Sequence, residues 1–310
     1  MNSRAEKSIN QDSLIEKTPT PFLRWAGGKR KLVPIITSLF PKHFDGKQNR
    51  FHEPFVGGGS LMLALGDKSS PFYVPGKNLF INDSNPDLID TYIAIRDNTD
   101  ELIRELKKLS NDLSRRAFEE VRAQRLTSPV KRAARFIYLN KTCFNGLWRV
   151  NSKGEFNVPW GQIKNPVICD ERNLLSVSER LKKSTITHTT FSSAINSVGM
   201  DDVVYFDPPY IPITSSASFA SYAKEGFGIM DQYALAGSIK GLTKNGASVL
   251  LSNSDTPETR EIFSSLYLYQ LDVRRSISAN SSSRLKVKEI LASNARIPDS
   301  KLHPLLTRIQ

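Results

Sequence analysis

The tetrapeptide Asp207-Pro208-Pro209-Tyr210 combines residue types that could hold a planar amine. It follows the apolar run 203–206, which lacks polar alternation and therefore predicts a buried strand of a parallel sheet. Because proline restricts the residue before it and cannot donate to a strand ladder, the Asp207 carboxylate and the Pro208 carbonyl are held on a stiff corner. With the ring of Tyr210 beside them, these acceptors suit an amine such as N6 of adenine. The alternative is a turn that only ends the strand.

A glycine-rich loop lies earlier in the chain, where residues 51–60 predict the order strand, loop, helix that commonly binds nucleotide-like ligands. Met62 stands at the last glycine position of the dinucleotide fingerprint, and no phosphate-loop lysine follows, so a ligand without pyrophosphate fits better. Asp83 ends a second predicted strand roughly twenty residues further on, where a carboxylate can bind both hydroxyls of a ribose. The alternative for Asp83 is a helix cap ahead of Pro86.

Residues 21–31 add aromatic side chains, a pair of glycines and a run of cations, followed by a helical pattern of apolar residues. The Gly27-Gly28 turn allows a close approach of the backbone to a ligand. Trp25 can pack on an aromatic or cationic group, and Lys29 can meet a carboxylate. A structural turn with a solvated basic run explains the same segment equally well.

The charge of the chain favours a polyanionic partner. Among its 310 residues, 43 Lys and Arg stand against 31 Asp and Glu, giving a net charge of +12 and a pI near 9.6. Residues 101–165 hold fourteen of these cations and six of these acids. Cys143 and Cys169 have neither a disulfide framework nor metal-ligand spacing, so we expect no metal site and a reducing cytoplasm. No apolar run has the length of a membrane span.

Residues 140–161 predict a β-hairpin that turns at Lys153-Gly154 and carries interleaved aromatic, amide and cationic side chains. Such a hairpin suits DNA, because arginine can bind a guanine edge, asparagine an adenine edge, and an apolar tip can enter an opened stack. The preceding helical residues carry many cations, which either face phosphates or are merely solvated: Arg115, Arg116, Arg122, Arg125, Lys131, Arg132 and Arg135.

The rest of the chain predicts an α/β fold. We expect residues 1–20 to be a disordered leader and 295–310 to be a tail. Strands are predicted over 184–191, 203–206 and 248–253, with 266–273 and 287–291 as a closing antiparallel pair. Arg284 lies in a basic, hydroxyl-rich stretch that either contacts DNA phosphates or forms an exposed loop.

Five motifs occur in an order that resembles the D12 class of DNA adenine-N6 methyltransferases, typified by the enzymes that modify GATC. They are FLRWAGGK, EPFVGGGS, IND at Asp83, FNGLWRVNSKGEFNVPWG and YFDPPY, and the resemblance extends from Pro21 to Ala292. It implies a Rossmann-like, S-adenosylmethionine-dependent methyltransferase sheet formed by residues 21–90 and 166–294. It also implies an inserted, mainly helical DNA-recognition domain, residues 91–165, that carries the β-hairpin.

The resemblance assigns roles to residues by their positions in these motifs. The implied catalytic residues, which would grip the target adenine, are Asp207, Pro208, Pro209 and Tyr210. The implied cofactor-binding residues are Trp25, Lys29, Glu53, Phe55, Gly57, Gly59, Asp83 and Asp207. The implied DNA-binding residues, to which we add Arg284 from its basic surroundings, are Arg24, Phe144, Asn145, Leu147, Arg149 and Asn151.

The implied function is transfer of a methyl group from S-adenosylmethionine to N6 of a flipped-out adenine in double-stranded DNA, within GATC and without a metal. The protein would need no protein partner, although a cognate restriction nuclease is compatible with the family. Gln162-Ile163 stands where the GATC enzymes carry Arg-Tyr, which bears on contact with the first base pair. Two alternatives stay open: a methyltransferase for RNA adenine or protein glutamine, and a DNA-binding module with a dead cofactor pocket.

Overall fold

The computed structural model describes residues 18–210, 227–271, 288–299 and 302–310. Arg284 and nearly all of the expected leader lie outside these residues. Within them the chain forms a mixed α/β fold around one eight-stranded sheet. None of the described helices combines the length and the apolar character that crossing a membrane requires.

The sheet contains five parallel strands followed by three antiparallel ones. Its order is β3-β2-β1-β4-β5-β7-β6-β8, and β3, β2, β1, β4 and β5 run parallel. The strands are β1 (Phe51–Glu53), β2 (Leu79–Asn82), β3 (Thr185–Thr187), β4 (Val203–Phe206), β5 (Ser248–Ser254), β6 (Tyr267–Leu271), β7 (Glu289–Ser293) and β8 (Leu306–Arg308). The predicted buried parallel strand at 203–206 is confirmed, as is the closing antiparallel pair, β6 with β7.

Helices cover both faces of the sheet. They are α1 (Val33–Ser38), α2 (Ser60–Ala64), α3 (Pro86–Asp97), α4 (Thr99–Leu109), α5 (Arg115–Ala123), α6 (Pro129–Thr142), α7 (Glu171–Leu181), α8 (Phe191–Ala194), α9 (Ile229–Lys244) and α10 (Pro257–Ile262). Several begin with a side-chain cap at the N-terminus followed by proline, as α3 does with Asn85 and Pro86.

The strands have two buried faces because successive side chains point to opposite sides. In β4, Val203 and Tyr205 belong to the core that packs under α1 to α7, whereas Val204 and Phe206 belong to the core under α9 and α10. Burial on both faces explains why this strand is apolar without alternation. Because β1, β2 and β4 run parallel, their carboxyl ends lie at the same edge of the sheet, between the two layers of helices.

The expected tail at 295–310 is wrong for its described part. Residues 306–308 form β8, which pairs antiparallel with β6, and Leu306 and Ile297 are buried in the core. Because β8 has only three residues and only Leu306 faces the core, it gave no periodic signal that distinguishes it from a polar end.

The helical segment between β2 and β3 packs on the same core as the sheet. The expected boundary between residues 90 and 91 falls inside α3, and buried residues of α3, α4 and α6 join one cluster with the sheet residues. Helix α6 packs against α3, α4 and α5. The division into a catalytic and an inserted domain stays a prediction.

Candidate active site

Asp207 lies immediately after β4, at the centre of the open edge of the sheet. Its Oδ1 atom accepts a hydrogen bond from Oγ of Ser252 at 2.7 Å and lies 3.0 Å from Nζ of Lys29. Its Oδ2 atom accepts no hydrogen bond from any residue that the structure describes, and the side chain is 20% exposed. One carboxylate oxygen is thus fixed by the protein and the other is available to a ligand.

The backbone of the corner is held from the neighbouring elements. Gln232, from the first turn of α9, donates from Nε2 to the Pro209 carbonyl at 2.9 Å, and its own Oε1 accepts from Asn253 of β5 at 3.1 Å. Both amides are buried. Since proline offers no N–H, this carbonyl contact ties the corner to the sheet.

Tyr210 lies beside the Lys29–Asp207 pair. The Lys29 ammonium is 4.9 Å from the centre of its ring, and its hydroxyl is 3.4 Å from Oε2 of Glu289. Burial, and then the charge of Asp207, raises the pKa of this phenol well above its ordinary value. The phenol therefore keeps its proton at neutral pH.

The glycine loop follows β1 and leads into α2. Gly57 and Gly59 both have positive φ, at 47° and 68°, in the left-handed region that favours glycine. A Cβ atom on Gly57 would lie 2.8 Å from Nε1 of Trp25, and one on Gly59 would lie 2.6 Å from the Tyr92 hydroxyl. The loop thus requires glycine at these positions because protein side chains pack directly on its backbone. From the sequence we expected a different reason, namely that a ligand approaches the backbone.

Asp83 ends β2 and fastens this loop. Its Oδ2 accepts from the Gly57 amide and its Oδ1 from the Asn85 amide, each at 3.0 Å. Asn85, not Asp83, caps α3, because the Asn85 side chain accepts from the Leu88 amide. The alternative of a helix cap is therefore wrong. Burial raises the pKa of the Asp83 carboxyl.

Glu53 is fully buried at the end of β1, where its Oε2 accepts from the Met62 amide at 3.1 Å. Burial, followed by the nearby charge of Asp207, raises its pKa well above the ordinary value, and Asp83 acts in the same direction. Three carboxyl groups therefore converge at this edge of the sheet. Such a set favours a cationic ligand over a phosphate-bearing one.

Phe55 lies in the same loop but packs on the other face of the sheet from Trp25. Its ring stacks on Phe191 with centroids 5.6 Å apart and meets Phe227 edge-on at 5.4 Å. Trp25 instead approaches Phe136 of α6 at 6.3 Å. The loop therefore packs between two aromatic clusters, one on each face of the sheet. These clusters restrict the movement of any loop side chain that binds a ligand.

Residues 143–161 turn back on themselves but form no continuous strands. Two isolated antiparallel bridges join Val150 to Phe156 and Cys143 to Trp160. The Asn151 side chain stabilises the turn by accepting from the amides of Lys153 and Glu155 and donating to the Glu155 carboxylate. The expected turn at 153–154 is therefore present, with its strands reduced to bridges.

The residues expected to contact DNA differ in how accessible they are. Phe144 is 43% exposed, Asn145 is exposed with a left-handed φ of 53°, and Leu147 is half-buried. Arg149 is exposed and donates from Nε to Oδ1 of Asn157 at 2.8 Å. Both polar atoms of the Asn151 side chain make hydrogen bonds within the turn.

Arg24 is joined to this segment through Asn140 of α6. The buried Asn140 amide accepts from the Arg24 N–H at 2.8 Å, donates to the Arg24 carbonyl at 2.8 Å and donates to the Gly146 carbonyl at 3.0 Å. A Cβ atom on Gly146 would lie 2.3 Å from Cβ of Arg24. The expected DNA-binding residues Arg24 and Asn145 thus belong to one packed unit.

Most cations of the helical segment have acidic partners within the chain. The ion pairs are Arg116–Glu120, Arg122–Glu119, Arg125–Glu155 and Arg132–Asp90. Arg135 donates to the carbonyls of Val121 and Arg122. Of the seven cations, Arg115 and Lys131 have no side-chain hydrogen bond or ion pair to any described residue, so they are the better candidates for phosphate contact.

The comparison with protein families identifies the family of this chain. A family model described as D12 class N6 adenine-specific DNA methyltransferase matches residues 25–277, a range that contains Lys29, Glu53, Asp83, Asp207 and Ser252. The chain belongs to this family. It is an adenine-specific DNA methyltransferase.

Related methyltransferases are similar over most of their length. The Type II methyltransferase M1.LlaDCHI of Lactococcus lactis subsp. cremoris is 39% identical over 88% of this chain and 95% of its own. The Type II methyltransferase M.MjaIII of Methanocaldococcus jannaschii is 41% identical over 76% and 84%. The DNA adenine methylase of Haemophilus influenzae is 36% identical over 88% and 92%.

Several residues that shape this D12-class site were not singled out from the sequence. Ser252 and Gln232 hold the Asp207 corner, and Asn140 holds Arg24. For Ser252 a weak signal existed, because it directly follows the apolar run 249–251 of a predicted strand. For Gln232 and Asn140 no signal existed, since each lies within a helix and bonds to a part of the chain that is distant in sequence.

Proposed function

We propose that this methyltransferase transfers a methyl group from S-adenosylmethionine to N6 of an adenine flipped out of duplex DNA, within GATC. The observation that carries the proposal is that the two carboxylate oxygens of Asp207 have different surroundings. Lys29 and Ser252 engage Oδ1 and leave Oδ2 available, and the Tyr210 ring lies next to the same Lys29–Asp207 pair. An acceptor next to an aromatic face matches the amine and the ring of adenine.

The residues at the sheet edge fit S-adenosylmethionine as the donor. When bound, it supplies an electrophilic methyl group on a positively charged sulfur. The converging carboxyls of Glu53, Asp83 and Asp207 suit such a cation and its amino group, and Asp83 suits the ribose hydroxyls. The remaining side chains and loop positions that would complete the pocket are Trp25, Lys29, Phe55, Gly57 and Gly59.

Asp207 would act on the adenine amine by accepting a hydrogen bond. The N6 lone pair is delocalised into the ring, and hydrogen bonds from N6–H to Oδ2 of Asp207 and to the Pro208 carbonyl favour a pyramidal nitrogen with a localised lone pair. An aryl amine is too weak an acid to be deprotonated first, so the N6–methyl bond would form as the sulfur–methyl bond of the donor breaks, with that electron pair staying on sulfur. The methylated nitrogen, now positively charged and acidic, would then release its proton to solvent. Positioning and electrostatics of this kind contribute several kcal/mol to lowering a barrier.

The base must leave the duplex before Asp207 can reach it, because the stack shields N6 from the donor. Stacking on Tyr210 and filling of the gap by Phe144, Asn145 and Leu147 would offset the cost of about a few kcal/mol. Arg24 and Arg149 would contact DNA directly. We propose a supporting role in the turn for Asn151, because its amide is hydrogen bonded within the chain.

The proposal that GATC is the recognition sequence rests on the resemblance. Gln162 is the position at which this chain departs from the GATC enzymes, so it bears most directly on the recognition sequence. Gln162 is exposed, with a left-handed φ of 52°, and follows Gly161, where a Cβ atom would lie 2.3 Å from the Cys143 carbonyl oxygen. This tight turn presents residue 162 on the same segment as the expected recognition residues. The Type II names of two relatives support the further proposal that the modification protects DNA from a cognate restriction nuclease.

The decisive experiment measures transfer of a labelled methyl group from S-adenosylmethionine to short duplexes that contain GATC or each single-base change of it. We expect incorporation at GATC, and less than a few per cent of it for Asp207→Ala with DNA binding retained. Asp100→Ala, the same change at an exposed residue of α4, serves as the matched control.

Each other outcome rejects a specific part of the proposal. Incorporation spread over altered sites rejects GATC and places the cause in the recognition segment. Transfer to RNA or to a protein amide, but to no duplex, rejects the substrate. Full activity of Asp207→Ala rejects the assignment of the acceptor.

A further inference from the structure

We propose that Tyr205 and Ser252 form a hydrogen-bond relay that positions the Asp207 carboxylate for catalysis. The relay rests on the proposed role of Asp207 as the acceptor of the adenine amine. Neither residue contacts the proposed substrate position, so both are positioning residues rather than catalytic ones.

The alternation of two neighbouring parallel strands creates the relay. Tyr205 and Asp207 are two residues apart along β4 and its continuation, so both side chains point to the same face of the sheet. In β5, Leu250 pairs with Tyr205, and Ser252 points to that same face two residues later. The Ser252 hydroxyl consequently lies between the other two, 2.9 Å from the Tyr205 hydroxyl and 2.7 Å from Oδ1 of Asp207.

Counting donors fixes the direction of the relay. Ser252 has one hydroxyl hydrogen, and a carboxylate oxygen can only accept, so that hydrogen is used on Asp207. The Tyr205 hydroxyl must then donate to Oγ of Ser252. The order is Tyr205 to Ser252 to Asp207, and it requires Tyr205 to keep its proton. Burial, followed by the charge of Asp207, raises the pKa of Tyr205 well above its ordinary value, which keeps that proton in place.

The relay lies in a part of the core without water access, since Ser252 is fully buried and Tyr205 is 1% exposed. Hydrogen bonds in such surroundings are stronger than in water and reinforce one another along a chain. With Lys29 on the same oxygen, the relay restrains rotation of the carboxylate and leaves Oδ2 as the available acceptor. The geometry that accepts N6–H is therefore set before the base arrives.

The experiment compares Ser252→Ala, Tyr205→Phe and the double variant in single-turnover methyl transfer, with enzyme and donor at saturating concentrations and in excess over the DNA. We expect Ser252→Ala to lower the rate about tenfold and Tyr205→Phe about threefold, the scale for loss of one positioning contact. Because Tyr205 acts through Ser252, the double variant should be no slower than Ser252→Ala. The dissociation constants for DNA and for S-adenosylmethionine should change less than about twofold.

Matched controls separate positioning from loss of packing. Ser184→Ala removes a buried serine hydroxyl that donates to the Leu181 carbonyl, and Tyr138→Phe removes a tyrosine hydroxyl that donates to the Asp112 carbonyl. Both should lose thermal stability on a similar scale and keep the wild-type rate. If Ser252→Ala does not fold, the isosteric Tyr205→Phe decides alone.

Three results would overturn the relay: a wild-type rate in both single variants, effects that multiply in the double variant, or a loss that appears in the dissociation constants rather than in the rate. An inactive Asp207→Ala beside unaffected relay variants rejects the relay only. An active Asp207→Ala rejects the proposed function instead.

Discussion

The Lys29 ammonium lies 3.0 Å from Oδ1 of Asp207, and the lysine side chain is only 6% exposed. Its Nζ also donates to the Gly27 carbonyl at 2.7 Å. The cation therefore joins the glycine turn of the N-terminal segment to the corner after β4, two parts of the chain about 180 residues apart. It also offsets the charge of the Asp207 carboxylate at this edge.

This pairing predicts a coupled effect on stability. Lys29→Met leaves the carboxylate without its cation, and Asp207→Asn leaves the cation without its carboxylate, so each should cost about 1–3 kcal/mol of unfolding free energy. The double variant should recover about 0.5–3 kcal/mol relative to the sum. Urea unfolding of the four proteins measures this. Strict additivity would show that the pair contributes no interaction of its own.

Glu53 predicts a conflict between stability and ligand binding. Since burial raises its pKa, the folded protein resists its ionisation, and the contribution of Glu53 to stability becomes less favourable as pH rises above the ordinary value of 4.5. Glu53→Gln keeps an acceptor for the Met62 amide without the charge. We expect its melting temperature to exceed that of the wild type by a margin that grows between pH 5 and pH 8.

The same variant should bind S-adenosylmethionine more weakly, because the positive ligand loses a carboxylate that it would ionise. Isothermal titration at pH 8 measures the affinity, and Glu258→Gln, an exposed change on α10, is the control. Wild-type affinity in Glu53→Gln would exclude this residue from the cofactor pocket.

The sequence was most informative where the signal is local. The strand at 203–206 and the corner after it follow from an apolar run ended by two prolines, and both are present. Asp83 was placed at the end of a strand for the same reason. These features depend on neighbouring residues, so periodicity and backbone restriction suffice to find them.

Contacts that depend on register were not accessible in this way. Ser252 reaches Asp207 only because β5 pairs with β4 in one particular alignment, and a shift of one residue would turn it to the other face. Asn140 meets Arg24 across 116 residues of chain. Likewise β8 is a strand only because it pairs with β6, a contact that the local sequence does not indicate, and for this reason a tail was expected in its place.

Asp202 predicts the behaviour of the protein in acid. Burial alone would raise its pKa, but hydrogen bonds from His52, Gly199 and Arg50 outweigh burial and lower the pKa to about 2. A depressed pKa gives stability that is present above the ordinary value and is lost as pH falls towards about 2. The shift corresponds to about 2 kcal/mol.

We therefore expect the difference in unfolding free energy between wild type and Asp202→Asn to be about 2 kcal/mol at pH 7 and to shrink between pH 4 and pH 2. Urea unfolding at each pH measures it. Asp201→Asn is the matched control, because this neighbouring acid is exposed and its left-handed backbone tolerates asparagine. A difference independent of pH would mean that the asparagine variant loses packing rather than charge.

Asn140 predicts that the approach to DNA depends on a residue that does not touch it. Asn140→Ala leaves the Arg24 N–H and the carbonyls of Arg24 and Gly146 without their buried partner, which should cost about 2–4 kcal/mol of stability. Because both backbone segments then lose a fixed position, duplex binding should weaken more than tenfold, whereas S-adenosylmethionine binding should change little.

Fluorescence anisotropy with a labelled duplex measures the affinity for DNA, and calorimetry measures the affinity for S-adenosylmethionine. Asn196→Ala, an exposed amide, should change neither. Normal duplex affinity in a destabilised Asn140→Ala would show that the hydrogen bonds of Asn140 to Arg24 and Gly146 serve folding alone.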